Sequence, residues 1–136
     1  NQSGLPCGTP QAVRVSRLPL GTKIPGSPIL SCQMALGMAA LEPIIQEEAQ
    51  ASLGRSVVAL RHRGSFSCRE IKAYPGWVSQ HSFANALDIS AFILKGGKEV
   101  KVKGEYGKDE QDPGTKRGTF LRHVAHRAYD EGIFTV

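Results

Sequence analysis

His81 and Asp88 are the residues whose types and spacing most clearly allow chemistry; they lie seven positions apart in the segment VSQHSFANALDIS. The pattern predicts His81 in a loop and Asp88 inside the strand that follows, and a loop-to-strand bend can bring the two side chains together. An acidic residue in an otherwise apolar strand is costly unless it is paired or coordinated. Imidazole nitrogen and carboxylate oxygen are both good zinc donors, at about 2.0–2.2 Å. The pair is therefore half of a metal site, and a surface histidine beside a salt-bridged aspartate is the competing interpretation.

The strand that would position Asp88 is predicted over Ala86–Leu94 (ALDISAFIL), the clearest strand pattern in the chain. Alternation places Ala86, Asp88 and Ser90 on one side and aims Leu87, Ile89 and Ala91 towards the core. A Lys95–Lys98 turn containing Gly-Gly then joins it to Glu99–Lys103, which predicts a hairpin. Ser56–Arg61 is β-branched and short, as a core strand would be.

Two helices are predicted around these strands. The first is capped by Ser31, carries apolar residues at helical spacing and ends at Gly54; Pro43 inside it predicts a kink or two abutting helices. Its acidic turn, Glu47–Glu48, is interpreted as a solvated face. The second is predicted from Phe120 to about Glu131, capped by Thr119 and closed by Gly132.

The remaining segments are irregular. Residues 1–28 hold five prolines and form an N-terminal arm with a short strand at Ala12–Leu18, while residues 29–136 form the domain. Gly104–Gly118 is polar and glycine-rich, a loop of the length usually kept for function or disorder. The order of elements predicts an α+β fold, with a small antiparallel sheet packed with helices.

Composition limits the classes of function. The chain has 136 residues with a net charge of +5, and its longest apolar run, Cys32 to Ile45, is interrupted by polar residues, so no membrane span is expected. The positive charge favours an anionic partner, but charge alone does not choose among nucleic acid, wall polymer and membrane surface. No nucleic acid is expected, because the few aromatic residues are scattered rather than interleaved with basic ones.

Three cysteines, Cys7, Cys32 and Cys68, are spaced too widely for a CxxC metal site. In a secreted domain they would form one disulfide and leave one thiol, with three pairings open. Buried free thiols of a cytosolic protein are the alternative. A start at Asn1 without a leader peptide fits a processed chain and favours export.

The segment from Ser79 to Asp88, Ser-x-His-x-x-Ala-x-Ala-x-Asp, resembles the signature of the zinc D-alanyl-D-alanine carboxypeptidases and related peptidoglycan endopeptidases. The closer resemblance is to the bacterial extensin-like C-terminal domain family, a relative of those enzymes. It runs from about Ile29 to the end of the chain and is carried by ILSC, SFSCR, SQHSFANALDISAF, LKGGKEVKV, FLR and GIFTV. The fold it implies is a zinc carboxypeptidase-like core, as in hedgehog and D-Ala-D-Ala peptidases.

The resemblance also implies roles for individual residues. His81 and Asp88 would hold one zinc ion, and Arg69 would hold a substrate carboxylate, for which a guanidinium fork is suited; a surface salt bridge is its alternative. Ser79 would shape the loop or support a ligand, since no base is placed beside it to make it a nucleophile. Trp77 would line the site or simply pack.

This chain departs from the family pattern in two places. Ala84 stands where the signature prefers glycine. The His-x-His stretch that supplies the third ligand, with a general base nearby, would begin where Val136 ends, so the chain is expected to stop short of its complete site. His62, His123 and His126 are not substitutes, because His62 lies in a basic stretch and the other two fall on the solvated face of the second helix.

The resulting prediction is a periplasmic or secreted protein that binds peptidoglycan or another anionic wall polymer, and hydrolyses wall peptides that contain D-amino acids with the help of zinc. The lysines Lys95, Lys98, Lys101 and Lys103 on the hairpin would favour the anionic wall, although edge lysines also prevent strand aggregation. A non-catalytic wall-binding or structural module of the same fold is the alternative.

Overall fold

Two long helices and a three-stranded antiparallel sheet surround the main hydrophobic core. The computed structural model describes residues 12–63, 70–71, 74–78, 87–105 and 115–133, and for residues 70–71, 74–78 and 105 the backbone alone. The described residues have an α+β fold with small antiparallel sheets, as the sequence predicts.

Helix α1 spans Cys32–Leu53. Ser31 caps it, as predicted, because its Oγ accepts a hydrogen bond from the Met34 N–H at 3.1 Å. Gly54 ends it with a φ of 67°, a left-handed conformation that glycine adopts without steric cost. The predicted division at Pro43 is wrong, since the helix continues through that residue. Pro43 has no N–H, so the carbonyl one turn earlier in the helix loses its hydrogen-bond donor. Because Pro43 lies on the exposed side, this carbonyl is not forced into the core.

Strands form three antiparallel sheets within the described residues. β1 (Ala12–Arg14) pairs with β2 (Ile29–Ser31), and β4 (Glu70–Ile71) pairs with β5 (Tyr74–Val78). The main sheet has the order β3-β6-β7, with β3 at Val57–His62, β6 at Ile89–Leu94 and β7 at Glu99–Lys101. The central strand of this sheet is therefore the one that begins next to Asp88.

The predicted hairpin between β6 and β7 is confirmed. The Leu94 N–H donates to the Lys98 carbonyl at 2.7 Å, and the Gly97 N–H donates to the Leu94 carbonyl at 2.9 Å. Gly96 and Gly97 both have positive φ, 98° and 96°, which explains the Gly-Gly. The second strand is shorter than predicted, because the chain turns after Lys101 into a short helix, α2 (Val102–Glu105).

The last helix, α3, spans Lys116–Asp130 and begins four residues before the predicted start. Thr115 takes the N-cap position, and Thr119 lies in the first turn, where its Oγ1 donates to the Thr115 carbonyl at 3.0 Å. A β-hydroxyl residue four positions inside a helix resembles a cap in sequence, which explains the wrong boundary.

The two faces of the main sheet follow from its register. Leu60, Phe92 and Val100 lie opposite one another on the inner face, and all three are buried. The Phe92 ring meets the Phe120 ring of α3 edge to face, with centroids 5.2 Å apart. Arg61, Ala91 and Lys101 form the next row, which must point to the outer face because neighbouring residues of a strand alternate.

Glu42 is fully buried in α1 and binds the backbone of the segment before it. One carboxylate oxygen accepts the Leu20 N–H at 2.7 Å, and the other accepts the Thr22 N–H at 3.0 Å. One turn later, Gln46 donates to the Val57 carbonyl at 2.7 Å and accepts the Val57 N–H at 2.9 Å. The two side chains thus fix the segment at 18–24 and the start of β3 to the same helix face.

Arg127 joins α3 to α1 through the acidic turn that was interpreted as a solvated face. Its Nη1 donates to Glu47 at 3.0 Å and to Glu48 at 3.1 Å, and these hydrogen bonds raise the pKa of the guanidinium above its usual value. His123 Nδ1 lies 3.2 Å from the other oxygen of Glu48. Glu48 is largely covered, so that interpretation is wrong for Glu48 and holds for Glu47, which is mostly exposed.

None of the described helices has the length and apolar composition needed to cross a membrane.

We expect Glu42→Gln to lower the free energy of unfolding by about 1–3 kcal/mol, because an amide can present only one oxygen and turns a donor towards a buried N–H. Glu47→Gln is the matched control, since Glu47 is largely exposed and its loss costs less than about 1 kcal/mol. Chemical denaturation of both variants measures the difference. Equal effects would contradict the assigned role of Glu42.

Candidate functional site

Asp88 lies immediately before β6, one residue outside the strand that was predicted to contain it. Its backbone carbonyl accepts the Arg63 N–H at 2.9 Å, so the main sheet's hydrogen bonding continues to this position. The Asp88 residue is exposed. The acid is thus held by the backbone of the sheet while its carboxylate is accessible.

A β-bulge at Ser90 decides which way the neighbouring side chains point. Arg61 is paired with Ala91 and His62 with Ile89, so Ser90 is an extra residue in the central strand. Leu87 and Ile89 pack against the core and Asp88 is exposed, as predicted. Ala91 is buried as well, in agreement with the prediction, and the bulge shifts the alternation so that Phe92 also faces inwards.

An open cleft of about 450 Å³ lies next to Asp88. Among the residues that the structure describes, its polar lining consists of Arg63, Asp88, Ser90 and Lys103, and its apolar lining of Leu87, Ile89 and Val102. This described part of the lining combines an exposed acidic residue with two cations and a short apolar wall. Such a site can accept a polar ligand that carries both an oxygen donor and a negative charge.

The other predicted site residues fall where the structure describes little or nothing. His81, Ser79 and Arg69 lie outside the described residues, and Trp77 lies in β5, of which the backbone alone is described. The pairing of His81 with Asp88 stays a prediction, as do the roles of the other three.

A complete metal centre is not found in the described part of the chain, where no group of three or more histidine, cysteine, aspartate or glutamate side chains converges. Asp88 is the described member of the predicted pair.

His62 was interpreted as a surface residue and is instead half-buried. Its Nε2 donates to the Pro25 carbonyl at 2.8 Å, across a position where Gly26 leaves room for the ring. Its buried Nδ1 has no hydrogen-bond partner among the described residues. The His62 hydrogen bond therefore connects the end of β3 to the loop before β2.

His123 and His126 are exposed on α3, as predicted. His123 lines a second open cleft of about 420 Å³ between α1 and α3, together with Glu48, Ser52 and Thr119. The contact of His123 with Glu48 is part of the helix pairing described above. None of the described residues that line this second cleft also lines the cleft at Asp88.

Cys32 is the first residue of α1 and is a free thiol. Cys7 and Cys68 lie outside the described residues. No disulfide is found among the residues that the structure describes, and the predicted disulfide stays a prediction.

Arg63 and Lys103 are the site residues that sequence reasoning missed. Arg63 belongs to the basic stretch around His62, and Lys103 was noted only as one of the hairpin lysines. The sequence places them 40 positions apart, and only the pairing of β3 with β6 and of β6 with β7 brings both to one cleft.

Comparisons with curated proteins and with solved structures give no match. The sequence model of one family, described as extensin-like protein C-terminus, matches residues 1–131, which is nearly the whole chain. That match includes the arm at residues 1–28, the central strand and both long helices. The chain therefore belongs to the extensin-like protein C-terminus family, which suggests an extracellular or cell-wall-associated protein.

Proposed function

We propose that this chain forms a cell-wall-associated zinc peptidase domain that cuts peptidoglycan peptides, with His81 and Asp88 as two ligands of one zinc ion. The family supports the location at the wall. The kinship with zinc carboxypeptidases, the core of that type, the metal and the reaction are parts of the proposal.

The observation that carries the proposal is the placement of Asp88. It is an exposed carboxylate at the start of the central strand, held by the Arg63 N–H and lining an open cleft. A carboxylate on a rigid strand end, with room in front of it, is suited to bind a ligand because little freedom is lost on binding.

The chemistry of the donors fits zinc. A carboxylate oxygen and an imidazole nitrogen seven residues earlier are both donors that zinc accepts. The two cations in the cleft, Arg63 and Lys103, suit an anionic substrate.

A bound zinc ion supplies a water of lowered pKa and polarises a carbonyl group. The residues of this chain have separate tasks in the proposal. Arg69 holds a carboxylate of the wall peptide, and Ser79 and Trp77 shape the loop around His81. Leu87, Ile89 and Val102 form the apolar wall against which the peptide lies, which restricts water at the scissile bond.

A non-catalytic wall-binding module is the second candidate. The cations around the cleft favour it, because they can retain an anionic polymer whether or not a bond is cut. The two candidates share the ligand and differ in turnover.

Zinc binding separates the proposed ligands from ordinary surface residues. We expect His81→Ala and Asp88→Asn each to lower zinc affinity at least about tenfold, since even the loss of groups that support a ligand has an effect of this size. His126→Ala and Asp130→Asn, both exposed on α3, are the matched controls and should bind zinc like the unchanged protein. Titration against a chromophoric chelator measures all five proteins.

Equal affinity in all five proteins would contradict the assignment of His81 and Asp88. Circular dichroism of each variant keeps loss of zinc distinct from loss of fold.

Turnover separates the two candidate functions. We expect the zinc-loaded protein to release peptide products from purified peptidoglycan, detected by mass spectrometry, and Asp88→Asn to abolish the release while Asp130→Asn keeps it. Binding to peptidoglycan without any product would establish the non-catalytic module instead. Product release that Asp88→Asn leaves unchanged would place the reaction at another site.

A further inference from the structure

The outer face of the main sheet carries cations on both sides of its central strand. In register, Ala91 lies between Arg61 of β3 and Lys101 of β7. One step along, Arg63 donates its N–H to the Asp88 carbonyl, and Lys103 lines the same cleft as both. All four cationic residues are exposed. We call this surface, defined by Arg61, Arg63, Lys101 and Lys103, the cationic groove.

The dimensions of the groove follow from sheet geometry. Neighbouring strands lie about 4.8 Å apart, so the two rows of cations are separated by about 10 Å across β6. This separation is wide enough for one extended chain between Arg61 and Lys101. Arg63 follows β3 and Lys103 lies in α2, and both line the cleft beside Asp88.

The floor between the cations is small and partly apolar. Ala91 is 2% exposed, which means that its neighbours cover it, and Ala59 and Ile93 continue the same face as a half-buried pair. Long cationic side chains beside a small residue can lay their alkyl stems over it and extend their charged ends to solvent. A bound chain would therefore lie on these alkyl stems rather than on Ala91.

The four cations of the groove are available to a ligand. Within the described ranges, the ion pairs found join α1 to α3 or lie at the end of α3, and none involves Arg61, Arg63, Lys101 or Lys103. Protection of an edge strand against aggregation explains a lysine on β7. It does not explain two arginines across the central strand from the lysines.

Acidic residues at both ends of the face limit which anion fits. At one end, Glu99 is the β7 partner of Ile93. At the other end, Asp88 lines the same cleft as Arg63 and Lys103. A uniformly charged polymer such as nucleic acid or polyphosphate would place a negative charge against both acids. A chain with isolated carboxylates separated by neutral units avoids this and still meets the cations.

We infer that the cationic groove binds carboxylate-bearing stem peptides of peptidoglycan and guides them to Asp88. The inference rests on the proposed function for the identity of the wall peptide, and it assigns substrate retention to Arg61, Arg63, Lys101 and Lys103. A guanidinium binds a carboxylate through two parallel hydrogen bonds, while a lysine supplies a point charge. The groove ends in the cleft beside Asp88, so the bound peptide would enter the proposed reaction site from this side.

Co-sedimentation with purified peptidoglycan tests the inference on the full chain. We expect Arg61→Gln combined with Lys101→Gln to weaken binding about tenfold. Arg17→Gln combined with Lys116→Gln is the matched control, because it removes one arginine and one lysine charge from exposed positions outside the strands of the main sheet. That control should bind within about twofold of the unchanged protein, and both variants should keep the unchanged melting temperature.

Three results would overturn the inference: no binding by the unchanged protein, equal loss in both double variants, or binding of oligonucleotide or polyphosphate as tight as that of peptidoglycan. The equal loss would mean that net charge alone drives binding. Zinc affinity, measured in the same variants, keeps the two proposals apart. If zinc affinity stays unchanged while the unchanged protein does not bind the wall, the cationic groove is wrong and the metal site stands. If wall binding depends on the groove residues but His81→Ala has no effect on zinc affinity, the metal site is wrong and the cationic groove stands.

Discussion

The buried carboxylate of Glu42 is the interaction on which the arrangement of this fold depends. It accepts two backbone N–H groups from the segment at 18–24, and Gln46 satisfies both backbone groups of Val57 one turn further on. A buried charge without such partners would be strongly destabilising, so burial of Glu42 and folding of that segment require each other. The segment in turn pairs with β3 through Lys23, which fixes the first strand of the main sheet against α1. β3 is the neighbour of β6, and Arg63 at its end donates its N–H to the Asp88 carbonyl.

The second constraint is the bulge at Ser90. Because the central strand has one extra residue, Leu87 and Ile89 before it and Phe92 and Leu94 after it all face the same core. Without the extra residue, strict alternation would turn either the aromatic ring or Ile89 away from the core. The same residue exposes Asp88 and lines the cleft in front of it. Core packing and the candidate site are thus joined at one position, which is typical of bulges near functional sites.

Local chemistry made several elements predictable. Ser31 and Gly54 mark the ends of α1 because capping involves residues within one turn, and the Gly-Gly turn marks the hairpin because few residues adopt a positive φ. The features that depend on distant residues were missed. Glu42 interrupts an apolar run in sequence, and its partners lie 20 or more positions away. Arg63 and Lys103 meet only through strand pairing. For the site, the sequence identified Asp88 and the strand beside it, but spacing alone could not exclude a salt-bridged aspartate.

The family, the accessible Asp88 and the cations around it together support a protein that retains wall peptides and holds a metal ion beside them. The central claim is that His81 and Asp88 share one zinc ion. A crystal structure of the zinc-loaded protein, with anomalous data collected on both sides of the zinc absorption edge, tests it most directly. The account predicts an anomalous peak bonded to an Asp88 carboxylate oxygen and a His81 ring nitrogen, each at about 2.0–2.2 Å. A peak elsewhere, or none at Asp88 in protein saturated with zinc, would contradict it.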